Sequence, residues 1–435
     1  MDWLLHGVAA RLIKTGALKM TYPDGVTHTY GDGTGSTVHA LVHTAHAARA
    51  IALDPLLAMP ESYMDGEFEI VEGDILDFMR IAFVNLRGGP SVTPLTSRLV
   101  EGTRFAARRL HQLNTATRSR RNVHRHYDLS GELYRLFLDK DLQYSCAYFE
   151  RPDMTIEEAQ AAKKRHIAAK LRLAPGQNVL DIGSGWGGLG LYLARCFDVN
   201  VLGVTLSTEQ LAVAQARAQS DQLDNQVHFE LRDYRDLSER FDRIVSVGMF
   251  EHVGVNHYKA FFNKVATLLK PDGTMLLHTI GRSGPPAATG AFIRKYIFPG
   301  GYIPAMSEVL PAIERAGLVV TDVEVLRLHY AETLKAWRER FLANRDKAVA
   351  IYDERFARMW DFYLASSEAS FRWDEMVVFQ FQITRRNDVL PITRDYMRQA
   401  EQTLAMRDGA DLEISTNEPE APARKPRRKS VKGRS

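Results

Sequence analysis

The chain has little cysteine: only Cys146 and Cys196 among 435 residues. Two thiols cannot build a disulfide framework, and they fit a reducing cytosol in which a cysteine is catalytic or simply buried. Long apolar runs are also missing. No stretch reaches the roughly 18 uncharged apolar residues of a spanning helix, so a lipid substrate would be approached from the water side, at the inner face of the membrane. The first residues, MDWLLHGVAARLIKTG, lack a basic n-region, a long apolar segment and a small-residue cleavage site, so no secretory leader is expected. An excess of one charge is absent as well: the formal net charge is +3, which argues against a polyanion binder, and no nucleic-acid partner is expected.

What is present is a globular composition, 45% hydrophobic and 25% charged, long enough for two folded units. Residues 1–90 read as a small α/β unit. GALKMTYPDGVTHTYGDG alternates apolar and polar residues around the turn Pro23-Asp24-Gly25, which predicts a hairpin. A helix is expected near 37–52. On such a helix His39, His43 and His46 would share a face at metal-compatible spacing, but no Cys or carboxylate completes the set, so no metal site is expected. Residues 91–122, polar and basic, read as a helical linker.

From about 123 a helical entry region (124–172) leads into strand–helix alternation. Strands are expected at Asn178–Ile182, Val199–Val204, Val227–Leu231, Arg243–Val247 and Thr274–Thr279, with helices such as Ser207–Asp221 and His257–Leu269 between them. That order predicts an α/β fold, a Rossmann-like parallel sheet with helices on both faces. A helical region at 332–369 and an antiparallel edge strand at 377–384 complete a catalytic domain over 123–408. The tail, 409–435, lacks aromatics and is expected to be disordered. Seven of its last twelve residues are Lys or Arg, which suits anionic lipid headgroups or a solubilising tail without a partner.

The strongest local signal is Val179-Leu180-Asp181-Ile182-Gly183-Ser184-Gly185-Trp186-Gly187-Gly188. An apolar strand ends in an acid and breaks into a Gly-rich turn that opens a helix, with free N–H donors at its start. Dinucleotide enzymes use a similar turn for pyrophosphate. The acid inside the strand end fits a class I S-adenosylmethionine-dependent methyltransferase better. The second strand runs into Thr205-Leu206-Ser207-Thr208-Glu209-Gln210 without the usual acid, leaving Gln210 as a neutral ribose partner. After the third strand, Asp233 could accept from the adenine amine and Tyr234 could stack on the ring.

These residues and their flanks resemble the cyclopropane fatty acid synthase and mycolic acid cyclopropane synthase family. His126-Tyr127-Asp128, LYRLFLDKDLQYSCAYF, VLDIGSGWGGL, GVTLSTEQ, VGMFEHVG, LHTIG, KYIFPGGYIP and HYAETL follow in the family's order. DPLLAMPESYMDGEFEI extends the likeness into the N-terminal unit. The resemblance implies that Tyr144, Ser145, the 180–188 loop, Thr205 to Gln210, and Tyr234 with Arg235 hold S-adenosylmethionine. It implies a bound bicarbonate as the base, with Cys146, Glu251, His278, the backbone of Ile280, and Tyr330 as its ligands. Some family members carry a cysteine in the C-terminal helices; LASSEASF has Ser367 there, which excludes a cysteine nucleophile at that site.

The implied reaction is methyl transfer to the double bond of an unsaturated phospholipid acyl chain at the membrane surface, then proton loss and ring closure. Taken singly, each catalytic residue also has a plain structural reading: Cys146 as a buried hydrophobe, Glu251-His252 as a helix cap, His278 as a core histidine and Tyr330 as packing. Three other functions remain open: a relative that makes a methyl-branched alkene or furan precursor, a small-molecule N-methyltransferase, and a lipid-binding module without activity. A homodimer is carried as one candidate assembly. Phe292 to Tyr302 interleaves aromatics with Arg294 and Lys295, and is read either as a wall of the acyl tunnel or a headgroup contact, or equally as a packed loop under the C-terminal helices.

Overall fold

The computed structural model describes residues 3–86 and 130–416, with side chains through 408. The 91–122 linker, His124 to Asp128 and the tail beyond 416 lie outside the described residues.

The N-terminal unit is a four-stranded sheet in the order β2-β1-β3-β4: β1 (Ala17–Thr21), β2 (Thr27–Tyr30), β3 (Thr37–Val42) and β4 (Phe68–Glu72). The hairpin pairs Leu18 with Tyr30 and turns at Gly25, whose φ of 81° needs no Cβ to be accommodated. The helix expected at 37–52 is instead β3 followed by the helix Ala45–Leu53, capped by the Thr44 side chain. Val38, Ala40 and Val42 alternate inward and are fully buried, so the period of two wins over helix. The three histidines therefore share no helical face. His39 sits on β3 against Thr21 and His43 pairs with Glu69, while His46 lies on the helix.

The catalytic unit holds a seven-stranded sheet in the order β10-β11-β9-β8-β5-β6-β7. The five expected strands are β5 (Asn178–Ile182), β6 (Asn200–Thr205), β7 (Val227–Leu231), β8 (Phe241–Val247) and β9 (Leu269–Arg282), all parallel. β11 (Met376–Thr384) is antiparallel, as expected, but it is not an edge. It lies between β9 and an unexpected strand, β10 (Val319–Leu326), which takes the edge. This is a Rossmann-like α/β fold with helical additions and a small N-terminal α/β unit.

The entry region is not continuously helical. Helices Gly131–Phe137 and Ile156–Leu171 flank an irregular segment. Asp139 accepts from the backbone N–H groups of Asp141 and Gln143, and Leu142 takes a left-handed φ of 57°. The stretch 332–369 is likewise three helices, His329–Ala343, Arg345–Ile351 and Glu354–Trp373, the last capped by Asp353. A final helix, Asp395–Thr416, runs past residue 409, where the linker was expected to begin.

The two units dock through a polar network centred on the buried Arg338–Asp361 pair. Arg338 donates to Asp361 at 2.6 Å and to Asp74 at 2.8 Å, and the Tyr63 phenol donates to Asp361 at 3.0 Å. Lys295 pairs with Glu61.

Candidate active site

The carboxyl ends of the parallel strands open onto a pocket of about 190 Å³, where open α/β sheets place their ligands. Its floor is the turn after β5. Gly183 has φ 86°, and a Cβ there would meet Met249 at 2.9 Å. Gly187, at φ 84°, caps the helix Gly188–Phe197 and backs onto Phe229 rather than lining the pocket. Asp181, Gly183, Ser184, Gly185 and Trp186 all line it. Ser184 Oγ is buried and has no partner. Burial pushes the Asp181 carboxyl up to about 7, and a bound ammonium would bring it down again.

Thr205, Leu206 and Gln210 form a second wall. Thr205 Oγ1 donates to Gln210 Oε1 at 3.3 Å, while Ser207 accepts from Gln210 N and acts as the cap of helix Thr208–Ser220. Asp233, Tyr234 and Arg235 form a third. The Asp233 carboxylate is held by Arg235, through its backbone N–H at 3.0 Å and its Nε at 2.9 Å, so Arg235 enters the site as the clamp on Asp233. Tyr234 packs edge-on against Phe261, with centroids 5.3 Å apart.

Tyr144 and Ser145 close the pocket from the irregular entry segment. That segment is held from behind by helix Ile156–Leu171. Gln160 donates to the carbonyls of Gln143 and Ser145, and buried Lys163 donates to Gln143 Oε1 at 2.6 Å and to Ser145 Oγ at 2.9 Å. Burial lowers the Lys163 pKa to about 8.

Cys146, Glu251, His278, Ile280 and Tyr330 all line one chamber of about 70 Å³. It shares Tyr144, Ser145, Gly248 and His252 with the cofactor pocket. Across the chamber, Ile280, Ile293, Phe298 and Tyr330 also wall a larger apolar cavity of about 520 Å³. The five residues come from four separate segments, His278 and Ile280 sharing β9, and the fold brings all of them together.

Their electrostatics are distinct. Glu251 Oε1 accepts from Ile280 N–H at 2.6 Å, and its Oε2 is buried with no partner. Burial raises its pKa to about 7. The Ile280 N–H is thus committed to Glu251 and orients the carboxyl. His278 is kept neutral, because burial drives its pKa far down. Gln380 fixes its tautomer. Lys170 donates to Gln380 Oε1 at 2.7 Å, so the Gln380 amide presents Nε2–H to His278 Nδ1 at 3.1 Å. The proton of His278 then sits on Nε2. Burial raises the Cys146 thiol well above its ordinary pKa, which makes it a neutral S–H and not a thiolate.

His252 lines both the pocket and the chamber, and burial lowers its pKa to about 4. The sequence reading saw it only as half of a helix cap; its place beside Glu251 was the available signal. Gln380 and Lys163 carried no local signal. Ser367 lines the apolar cavity, not the chamber. Phe292, Ile293 and Phe298 line that cavity too, which favours the tunnel-wall reading of the 292–302 segment, while Lys295 is engaged by Glu61.

Known proteins resemble this chain in sequence and in fold. The chain is 42% identical to the cyclopropane-fatty-acyl-phospholipid synthase of Escherichia coli, over 76% of this chain and 83% of that protein. It is 34% identical to the tuberculostearic acid methyltransferase UfaA1 of Mycobacterium tuberculosis, over 87% of this chain and 91% of that protein. A solved structure of the cyclopropane synthase MmaA2 from Mycobacterium tuberculosis superposes with a TM-score of 0.59 at 36% identity, covering 62% of this chain and 99% of that one. A family model described as a domain of unknown function (DUF7884) matches residues 10–88. Another, described as mycolic acid cyclopropane synthetase, matches residues 114–381, more than half the chain. On that footing the chain belongs to the mycolic acid cyclopropane synthetase family of S-adenosylmethionine-dependent methyltransferases.

Proposed function

We propose that this enzyme transfers the methyl group of S-adenosylmethionine to the cis double bond of a phospholipid acyl chain and closes a cyclopropane ring, with a bound bicarbonate as base. One observation carries the reading: a small chamber lined by Cys146, Glu251, His278 and Tyr330, with a buried Glu251 oxygen that has no hydrogen-bond partner among the described residues, shares walls with both the pocket at the strand ends and an apolar cavity.

Bound S-adenosylmethionine supplies an electrophilic methyl group. The alkene π pair forms the new C–C bond as the methyl–sulfur bond breaks, which leaves a cation on the other alkene carbon. Loss of a proton from the added methyl lets its C–H pair close the ring. The residues suit that task. Tyr144 stacks on Trp337 at 5.2 Å, and Tyr330 meets Phe371 at 4.9 Å, so aromatic faces border the site and exclude water. Cys146, kept as a thiol, cannot trap the cation as a thiolate would.

Cys146, Glu251, His278 and Tyr330 line one chamber; the Cys146 S–H already donates to the Ala147 carbonyl at 3.2 Å, so the donors that would hold a bicarbonate are the His278 Nε2–H and the Tyr330 phenol. Bicarbonate, when bound there, supplies the base. Glu251, with a pKa near neutrality, can itself take up a proton in the chamber.

A second reading is proton loss from a neighbouring chain carbon, which leaves a methyl-branched alkene; one relative is named a tuberculostearic acid methyltransferase and not a cyclopropane synthase. Both products carry the same added mass. NMR of extracted acyl chains separates them, because cyclopropane protons lie far upfield. Absence of either product in cells rich in unsaturated phospholipids would refute the proposal. No described helix is long and apolar enough to cross a membrane; peripheral contact with the lipid from the cytoplasmic side belongs to the proposal.

A further inference from the structure

The apolar cavity is built by both units. Leu5, Val8, Leu12, Met59, Phe78 and Ala82 belong to the N-terminal unit, and every residue that this unit contributes to the lining is apolar. The charged and hydroxyl-bearing lining residues, among them Arg282, Asp374 and Ser370, all come from the catalytic unit. The cavity's size, about 520 Å³, is ordinary for a small-ligand site. It shares the wall residues Ile280, Phe298 and Tyr330 with the transfer chamber.

We propose that the N-terminal unit receives the methyl-terminal segment of the acyl chain, and that it thereby selects how much chain lies beyond the double bond. The inference rests on the proposed lipid substrate. Its direction follows from solvation. A charged headgroup cannot be buried among Leu5, Leu12 and Phe78 without partners, whereas a hydrocarbon end gains from that burial. With the double bond held beside Tyr330, the segment running to the methyl end suits the N-terminal wall because it carries no polar group, whereas the segment running the other way ends in the ester and headgroup. The docking network of Arg338, Asp361, Asp74 and Tyr63 holds that wall against the helices of the catalytic unit, which is what a length gauge requires.

The test uses the full-length enzyme and mixed vesicles of two phosphatidylglycerols, one palmitoleoyl and one oleoyl. Their double bonds are at the same distance from the carboxyl, and the oleoyl chain is two carbons longer beyond it. Ala82→Phe fills the cavity and Phe78→Ala enlarges it. The Ala82→Phe variant should raise the palmitoleoyl-to-oleoyl product ratio by roughly tenfold, the size expected when about two methylenes lose their burial. Phe78→Ala should move the ratio the other way. S-adenosylhomocysteine titration confirms that each variant is folded. Wild-type product from both lipids with ratios unmoved in both folded variants would overturn the inference alone, leaving a void between units. No wild-type product from either lipid would overturn the proposed function, and the inference with it.

Discussion

The side-chain amide of Gln380 lies 3.1 Å from Nδ1 of His278, and Lys170 on its other side leaves it no choice but to donate. A residue in the middle of an antiparallel strand thus decides that His278 offers a proton to the chamber. Gln380→Leu should lower kcat by on the order of tenfold to a hundredfold, less than full loss of an acid–base group, while S-adenosylhomocysteine affinity stays unchanged. Steady-state kinetics beside calorimetric titration check this. An unchanged kcat would remove the tautomer from the mechanism.

Ser184 offers a buried hydroxyl that no group among the described residues satisfies. If the cofactor satisfies it, Ser184→Ala should weaken S-adenosylhomocysteine binding by about tenfold, the value of a hydrogen bond to a charged group, and leave thermal stability within a degree or two of the parent. Equal affinities would show that the hydroxyl faces elsewhere.

Glu251 links pH to both stability and rate. Its folded pKa, about 7, is raised above the ordinary 4.5. The folded state therefore binds the extra proton between those values, and this group's contribution to stability falls as pH rises through that window. Glu251→Gln removes the penalty. Relative to wild type, the variant should gain about 3 kcal/mol as pH goes from 4 to 8, at about 1.36 kcal/mol per pKa unit. Denaturant melts at the two pH values measure it. Wild-type kcat should rise with pH through about 7, as Glu251 ionises and becomes able to take the proton.

Arg338 neutralises Asp361 at the unit boundary, both being nearly buried. Arg338→Ala leaves that carboxylate uncompensated and should cost about 3–5 kcal/mol in chemical denaturation. A loss below about 1 kcal/mol would mean that the network does not hold the two units together.

What was legible in the sequence was local. The turn from Asp181 to Gly188 declares itself because strand, acid, glycines and helix are contiguous. β10 did not, because VVTDVEVL is half-exposed along most of its length and its strand identity comes from pairing with β11. β3 was mistaken for helix because its alternation is short, and β1 and β4, which fix it, are remote or follow a turn. Cys146, Glu251, His278 and Tyr330 could be named by their family order, yet no spacing rule predicts their common chamber. Gln380, Lys163 and His252 escaped because each acts through partners distant in sequence or through a cavity that only the fold creates.

The most direct test is the lipid product of Glu251→Gln. Wild type and variant are given the same unsaturated phospholipid vesicles with S-adenosylmethionine and bicarbonate, and the extracted chains are read by proton NMR. Upfield ring protons from the wild type, and none from a variant that still binds S-adenosylhomocysteine, are the predicted outcome. Undiminished ring formation by the variant would contradict the proton-handling role of the chamber.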